Sequence, residues 1–475
     1  MSDIPPAVPR YADPSTRIGR AFTPFREFTQ TEVSGGILLF VATVIALVWA
    51  NSPWGSTYND LWHTTLTIDI GGYGLSKTLA HWINDGLMVI FFFVVGLEIK
   101  REVMVGELAT RRQAALPIAA AAGGAIVPAL IYVALNIGEG GIRGWGVPMA
   151  TDIAFALGVM ALLGDRIPLG LRVFVTALAI VDDLIAVLVI AIFYTEAVEL
   201  AYLLAGAVIL GLLIVVNRLD ITRPLVYGVL GVLLWLAFVK SGVHATIAGV
   251  LLAMTIPART VMNSKQFLQA ADSAMADFHA ACARNPDILS SHDQQAALQE
   301  IESAAELVQS PMQKFEHKLH PWTSFVIVPI FALANAGVAF GSDFFEVLVG
   351  PVSLGIIFGL ILGKQLGITL VTWLMVRLGW TSLPEGVTMR HIHGASLLAG
   401  IGFTMSLFIG ELAFLEADQR EAAKVGILVA SVIAGTVGFL LLRRLGNAST
   451  VTETEVDESD AVSVTEPPIW RNAES

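Results

Sequence analysis

The chain has 475 residues, 55 % hydrophobic and only 14 % charged, against about 25 % charged in a soluble globular protein. Apolar windows recur from end to end, which excludes a soluble domain on a single anchor and leaves a polytopic membrane protein. The net charge of −12 points to no nucleic acid, because much of it sits in one terminal tail (Glu453, Glu455, Asp457, Glu458, Asp460, Glu466, Glu474) that reads as solvated.

A helix needs roughly 20 apolar residues to cross a bilayer, and about twelve segments approach that length. They lie near 33–50, 79–99, 114–136, 146–163, 170–194, 200–217, 224–239, 241–256, 320–341, 352–376, 390–412 and 422–443. Lipid offers nothing to a bare backbone group, so helices are expected; the runs are too long and too continuously apolar for barrel strands. The predicted fold is all-α. A cytoplasmic tail over 1–32 precedes transmembrane helices one to eight over 33–256. A polar linker follows over 257–319, then helices nine to twelve over 320–445 and an acidic, disordered cytoplasmic tail over 446–475. Within the linker, 264–278 and 294–308 carry apolar residues at three-to-four spacing and predict a helical hairpin. Basic residues gather on alternate connections (Arg10, Arg17, Arg20 and Arg26; Arg111 and Arg112; Arg218 and Arg223; Arg443 and Arg444). By the positive-inside rule both termini are cytoplasmic, which agrees with an even number of spans. The first 30 residues read as no removable signal peptide, and the single cysteine, Cys282, allows no intrachain disulfide.

Polar residues inside the spans carry the functional reading. Asp182 and Asp183 interrupt the apolar run from Val173 to Phe193. One central charge costs about 2.5–3.5 kcal/mol on insertion scales, so two adjacent ones point to a use; the alternative is a static ion pair in the bundle. Asp152 follows Pro148, which removes a backbone donor, and Thr151. A helix break there would let Asp152 neutralise amide dipoles or help bind a cation, whereas a plain helix cap is the simpler reading. Lys364 is mid-span and needs a carboxylate, with Asp182, Asp183 or Asp152 as partners. Gly400, Gly402 and Thr404 mark a second interruption, in the middle of the last three spans, as the Pro148–Asp152 stretch is in the middle of three earlier ones. Interrupted helices in corresponding places point to an inverted-repeat transporter with its site between them. In the second span, which also carries Asp85, Glu98 opens a cluster with Lys100, Arg101 and Glu102; Glu316, His317 and His320 stand on the same side. These read either as interfacial charges or as a coupled titrating group that biases helix positions. His244 reads as a packing histidine.

At these residues the chain closely resembles the bacterial Na+/H+ antiporter family called NhaA. The matching stretches are Ala150-Thr-Asp-Ile-Ala-Phe-Ala-Leu-Gly158, Thr176-Ala-Leu-Ala-Ile-Val-Asp-Asp183, Phe93-Val-Val-Gly-Leu-Glu-Ile-Lys-Arg-Glu102, Lys240-Ser-Gly-Val-His-Ala-Thr246, His320-Pro-Trp322, Phe331-Ala-Leu-Ala-Asn-Ala-Gly337, Gly363-Lys364 and Gly402-Phe-Thr-Met-Ser406. The resemblance implies an inner-membrane fold of twelve spans, with inverted repeats and two interrupted helices crossing at mid-membrane. It implies Asp182 and Asp183 as the cation and proton site, with Thr151 and Asp152 beside them. It implies charge compensation by Lys364 and Asp152, and a pH response through Glu98, Lys100, Arg101, Glu102, Glu316, His317 and His320. The implied partners are Na+, Li+, H+ and the bilayer, with a homodimer as the candidate assembly and no cofactor. The chain departs from the pattern in a longer linker and in Gln313, where a basic residue is expected.

Na+ and Li+ are hard ions that favour oxygen ligands. Carboxylates that hold either protons or a cation give exchange, provided the site faces one side at a time. Neighbours on a helix point about 100° apart, so the two acids are given different roles; since the resemblance implies that Lys364 pairs with the first aspartate or offsets helix-end dipoles, Asp183 is assigned to ligation, and Asp182 to the Lys364 pair and proton carriage. If more than one proton replaces one Na+, about 2.3 kcal/mol per charge per 100 mV is available to drive Na+ out. The chain is thus expected to be a secondary transporter, not an enzyme. A Na+-coupled solute symporter is the alternative. An intramembrane aspartyl protease is disfavoured because its acids must face each other from different helices.

Overall fold

The computed structural model describes residues 32–70, 73–195, 198–285, 287–341 and 344–449. The N-terminal arginines Arg10, Arg17, Arg20 and Arg26, and the acidic tail from 450 onward, lie outside the described residues. Among those described, seven helices are long and apolar enough to cross a membrane, or up to ten spans if each of three bent helix pairs counts as one.

Helix α1 (Glu32–Ala50) meets α2 (Gly55–His63) at 112°. The bend brings Gly55 under Ala50, where a Cβ would lie 2.5 Å from the Ala50 carbonyl oxygen. An antiparallel hairpin follows, β1 (Thr65–Ile70) and β2 (Tyr73–Thr78), with Ile70 opposite Tyr73. Then come α3 (Leu79–Val105), wound as a π-turn over Trp82–Leu87, and α4 (Arg111–Asn136). A 3-10 stretch, Gly140–Met149, leads through an extended Ala150–Asp152 into α5 (Ile153–Leu162) at 42°. Helix α6 (Leu169–Phe193) is 25 residues long, which at about 1.5 Å per residue exceeds a hydrocarbon core of roughly 30 Å. Its most apolar stretch is 72 % buried inside the protein, against 17 % for α7 (Leu200–Arg218). Thus α6 is the central span, and α7 with its partner α8 (Pro224–Ser241) turns an apolar surface outward. Helix α9 (Thr246–Thr255) has only 10 residues.

The polar linker is helical. Helices α10 (Ser264–Arg284) and α11 (His292–Val308) pack together over small residues, Ala274, Ala281, Ala297 and Ala304. Each start is fixed by a side chain, Asn263 or Ser291, that accepts an N-terminal amide. Helix α12 (Pro311–Trp322) begins inside the expected linker, because Ser310 and Gln313 form a capping box with Pro311 at the first turn. It continues through a π-turn, Thr323–Ile327, into α13 (Val328–Asn335). The remaining helices are α14 (Phe344–Leu348), α15 (Pro351–Arg377), α16 (Met389–Leu398), α17 (Phe403–Ala413) at 50° to α16, and α18 (Ala417–Ser449).

Helices α4 and α15 meet backbone to backbone. A Cβ on Gly123 would lie 2.5 Å from the Gly367 oxygen, and one on Gly367 would lie 2.1 Å from the Gly123 oxygen. Small residues allow this approach, which apolar burial alone does not drive inside lipid. Gly367→Val should therefore cost about 1–3 kcal/mol or more by forcing the helices apart, read as a lowered thermal midpoint in detergent. Gly211→Ala, on α7 with nothing within 4 Å, should leave the midpoint unchanged or raise it.

Candidate functional site

Two helix breaks meet at the centre of the bundle. Asp152 caps α5 by accepting the Phe155 amide at Oδ1 (3.0 Å). Its other oxygen accepts both the amide (3.0 Å) and the hydroxyl (2.5 Å) of Thr404 in the first turn of α17. One carboxylate thus faces the positive ends of two half-helices at once. The unwound backbone is paired across the crossing. The Asp152 amide donates to the Ile401 oxygen (2.7 Å). The Thr151 and Ser406 hydroxyls donate to the carbonyls of Ala399 and Val147, each at 2.8 Å. Pro148 and the glycines explain why the helices stop here; these bonds explain why stopping costs little in a medium without water.

Asp182 and Asp183 stand midway along α6, each 1 % exposed. Lys364, 0 % exposed, donates to Asp182 Oδ2 at 2.6 Å. It follows a π-turn over Gly359–Gly363 in α15; such insertions recur at functional positions. Thr151 lies beside Asp182. The other Asp182 oxygen and both oxygens of Asp183 are buried without a hydrogen-bond partner. Buried polar atoms are almost always paired, so three unpartnered carboxylate oxygens on two neighbouring residues stand out as groups able to take up a cation or a proton.

A second group lies where α3 meets α12. Arg101 bridges Glu316 and Glu102, the latter at 3.2 Å. Lys100 donates to the carbonyls of Met254 (2.8 Å) and Ile256 (2.5 Å), closing the C-terminal end of α9. Glu98 lies near Glu316, Arg101 and Glu102. His317 and His320 are exposed, so the structure gathers the acids and Arg101 but leaves these histidines facing outward. Gln313 serves the α12 cap. Asp85 lies in the π-turn of α3, its carbonyl accepting the Trp235 indole at 2.9 Å. His244 hydrogen-bonds Thr246 (3.0 Å) and meets Phe408 edge to face at 5.6 Å.

Comparison with known proteins settles the lineage. The Na+/H+ antiporter 1 family matches residues 26–442. The chain belongs to that family. A Na(+)/H(+) antiporter NhaA of Oleidesulfovibrio alaskensis is 52 % identical over 443 residues, 93 % of this chain and 97 % of the relative. Na(+)/H(+) antiporter NhaA 1 of Saccharophagus degradans is 47 % identical, over 92 % of this chain and 96 % of its own. A third, from Koribacter versatilis, is 49 % identical, over 89 % and 91 %. Within this antiporter frame, the parts of the site not assigned from the sequence are the Thr404 grip on Asp152 and the Ser406 tie to Val147. Their signal was a hydroxyl residue just beyond Gly400 and Gly402.

Two measurements probe this geometry. Lys364→Met leaves Asp182 buried without its partner and should cost about 3–5 kcal/mol. Adding Asp182→Asn should restore part of the thermal midpoint, and the absence of any restoration would mean the two groups are uncoupled. Thr404→Val should cost about 1.5–3 kcal/mol by removing a hydroxyl donor from a carboxylate.

Proposed function

We propose that this antiporter exchanges cytoplasmic Na+ or Li+ for external H+ through Asp183 and Asp182, in the bacterial inner membrane with both termini cytoplasmic. The observation that carries the assignment is the set of three unpartnered, buried carboxylate oxygens beside the Lys364–Asp182 bridge. Two of the three belong to Asp183, which becomes the first ligand. Thr151 stands where it can add an oxygen. Asp152, with both oxygens engaged, holds the crossing and compensates its dipoles. When Na+ arrives, Lys364 yields Asp182 to the ion; when Na+ leaves, protons and Lys364 restore the balance. Exchange of more than one proton per Na+ makes the cycle electrogenic. Glu98, Lys100, Arg101, Glu102, Glu316, His317 and His320 are proposed to bias it with pH.

Twelve spans follow if the three bent pairs, α9 and the continuous α12–α13 are added to the seven long helices. The pairs Gly140–Met149 with α5 and α16 with α17 are then the interrupted helices of two inverted repeats. A homodimer is proposed through the β1–β2 hairpin. Only two strands make up that sheet, Leu66 and Ile68 are exposed, and an open sheet edge favours pairing with another chain.

Asp183→Asn should abolish Na+-dependent proton flux in proteoliposomes; flux that survives would remove Asp183 as the ligand. If ion and protons compete for the same oxygens, the Na+ dissociation constant rises as pH falls, roughly tenfold per pH unit for each proton displaced. Calorimetry of the purified protein across pH reads that slope directly. A slope of zero excludes competition, and a slope above one proton supports an electrogenic cycle.

A further inference from the structure

A groove of about 690 Å3 opens on the flank of the bundle, between α1, α5, α17 and α18. Its mouth is carbon: Phe40, Leu162 and Val432 line it and are 58 %, 62 % and 67 % exposed. Its deep end is formed by Ile401 and Phe403, both buried, with Phe155 beside them. The Phe155 and Phe403 rings stand edge to face at 5.2 Å, one on each half-helix of the crossing. Ser431, from α18, accepts the Phe403 amide at 3.2 Å. The groove therefore ends on the break itself, one residue from Thr404 and its hold on Asp152.

Its position decides the occupant. α18 is a candidate span and α5 and α17 are halves of bent ones, so a groove that ends at the break lies at hydrocarbon depth, where the surroundings are acyl chains. The volume is more than four times the roughly 150 Å3 of a cavity that holds benzene, enough for a long chain. We propose that one acyl chain of a bilayer phospholipid docks in this groove against Phe155 and Phe403 and steadies the helix break that Asp152 and Thr404 tie together. Docking stands on the groove alone. The effect on transport rests on the exchange reading given above.

The test uses the full-length protein in nanodiscs containing a phospholipid with a photoreactive diazirine at the tail end. Peptides spanning 153–162 and 401–403 should be labelled saturably, with competition by unlabelled phospholipid. Val44→Trp and Val432→Trp, which fill the mouth, should reduce that labelling at least fivefold. Val208→Trp, at a 72 % exposed position on α7, should not change it. Where a tryptophan variant fails to fold, Val432→Ser, which makes the mouth polar, carries the same expectation. Unsaturable labelling, labelling equal to that of α7, labelling that persists in the filled variants, or displacement by free fatty acid but not by phospholipid would each overturn the docking. The filled variants should also shift the Na+ concentration for half-maximal proton flux by threefold or more. Labelling lost with flux unaltered would overturn the steadying role. Flux that survives Asp183→Asn would instead remove the exchange reading and leave the lipid result intact.

Discussion

Charge balance without water constrains the whole molecule. Asp182, Asp183, Asp152 and Lys364 are each no more than 2 % exposed. An ion so placed must be paired, since desolvation costs several kcal/mol per charge even after relaxation. Asp152 is answered by two half-helix ends and Asp182 by Lys364, which leaves Asp183 within reach of the Lys364 charge but with no ion pair or hydrogen bond of its own among the described residues. A proton or a small cation is what remains to answer it. The same count explains why a lysine sits at this depth. Without Lys364 two adjacent buried carboxylates would stand uncompensated, and with it one of them is paired.

The helix breaks follow from that constraint. An intact helix uses up its own amides and carbonyls, so it can offer neither an anion-facing end nor free carbonyls in the middle of a bilayer. Interrupting two helices at one level creates both, and the cross-bonds from Asp152, Thr151, Thr404 and Ser406 satisfy what the interruption exposes. Asp152 is therefore both the cap that the local sequence suggested and the dipole partner that the chemistry suggested; these are one role seen from one helix and from two.

Much of this was legible in the chain. Long apolar runs located the spans, and a charge within such a run is costly enough to stand out, which is how Asp182, Asp183, Asp152 and Lys364 were found. Pro148 and the Gly400–Gly402 pair located the breaks. The turn angle between neighbours says only that Asp182 and Asp183 diverge; the pairing of Lys364 with the first of them was implied by the family resemblance, and Lys364 lies 2.6 Å from Asp182. Other elements gave weak signals. The β1–β2 hairpin is made of two six-residue strands, and its only cue in the sequence is a Gly71-Gly72 pair, a Gly-Gly hairpin pattern too short to stand out among long apolar runs. The π-turns in α3, α12–α13 and α15 cannot be seen in composition, because one extra residue per turn leaves apolar periodicity almost unchanged. The outward-facing His317 and His320 show the limit of sequence proximity. On a helix, Glu316 and His317 point in different directions, so only one of them meets Arg101.

Alternating access needs one group of helices to move against another without losing hydrogen bonds in lipid. Two groups of polar ties bear on this. Helices α3 and α12–α13 are joined near both ends, by Arg101 with Glu316 and by Asn84 with Asn335 at 3.0 Å. The crossing half-helices are joined to each other by the bonds around Asp152. Where the two sets meet, the contact is aromatic: Phe408 of α17 lies against Phe92 of α3 at 5.4 Å and Phe331 of α13 at 6.1 Å. Contacts between rings are non-directional and can slide and re-pack while keeping much of their dispersion attraction, whereas a polar tie is lost once its geometry is broken. Movement of one set against the other at this aromatic surface would leave the directional ties within each set intact.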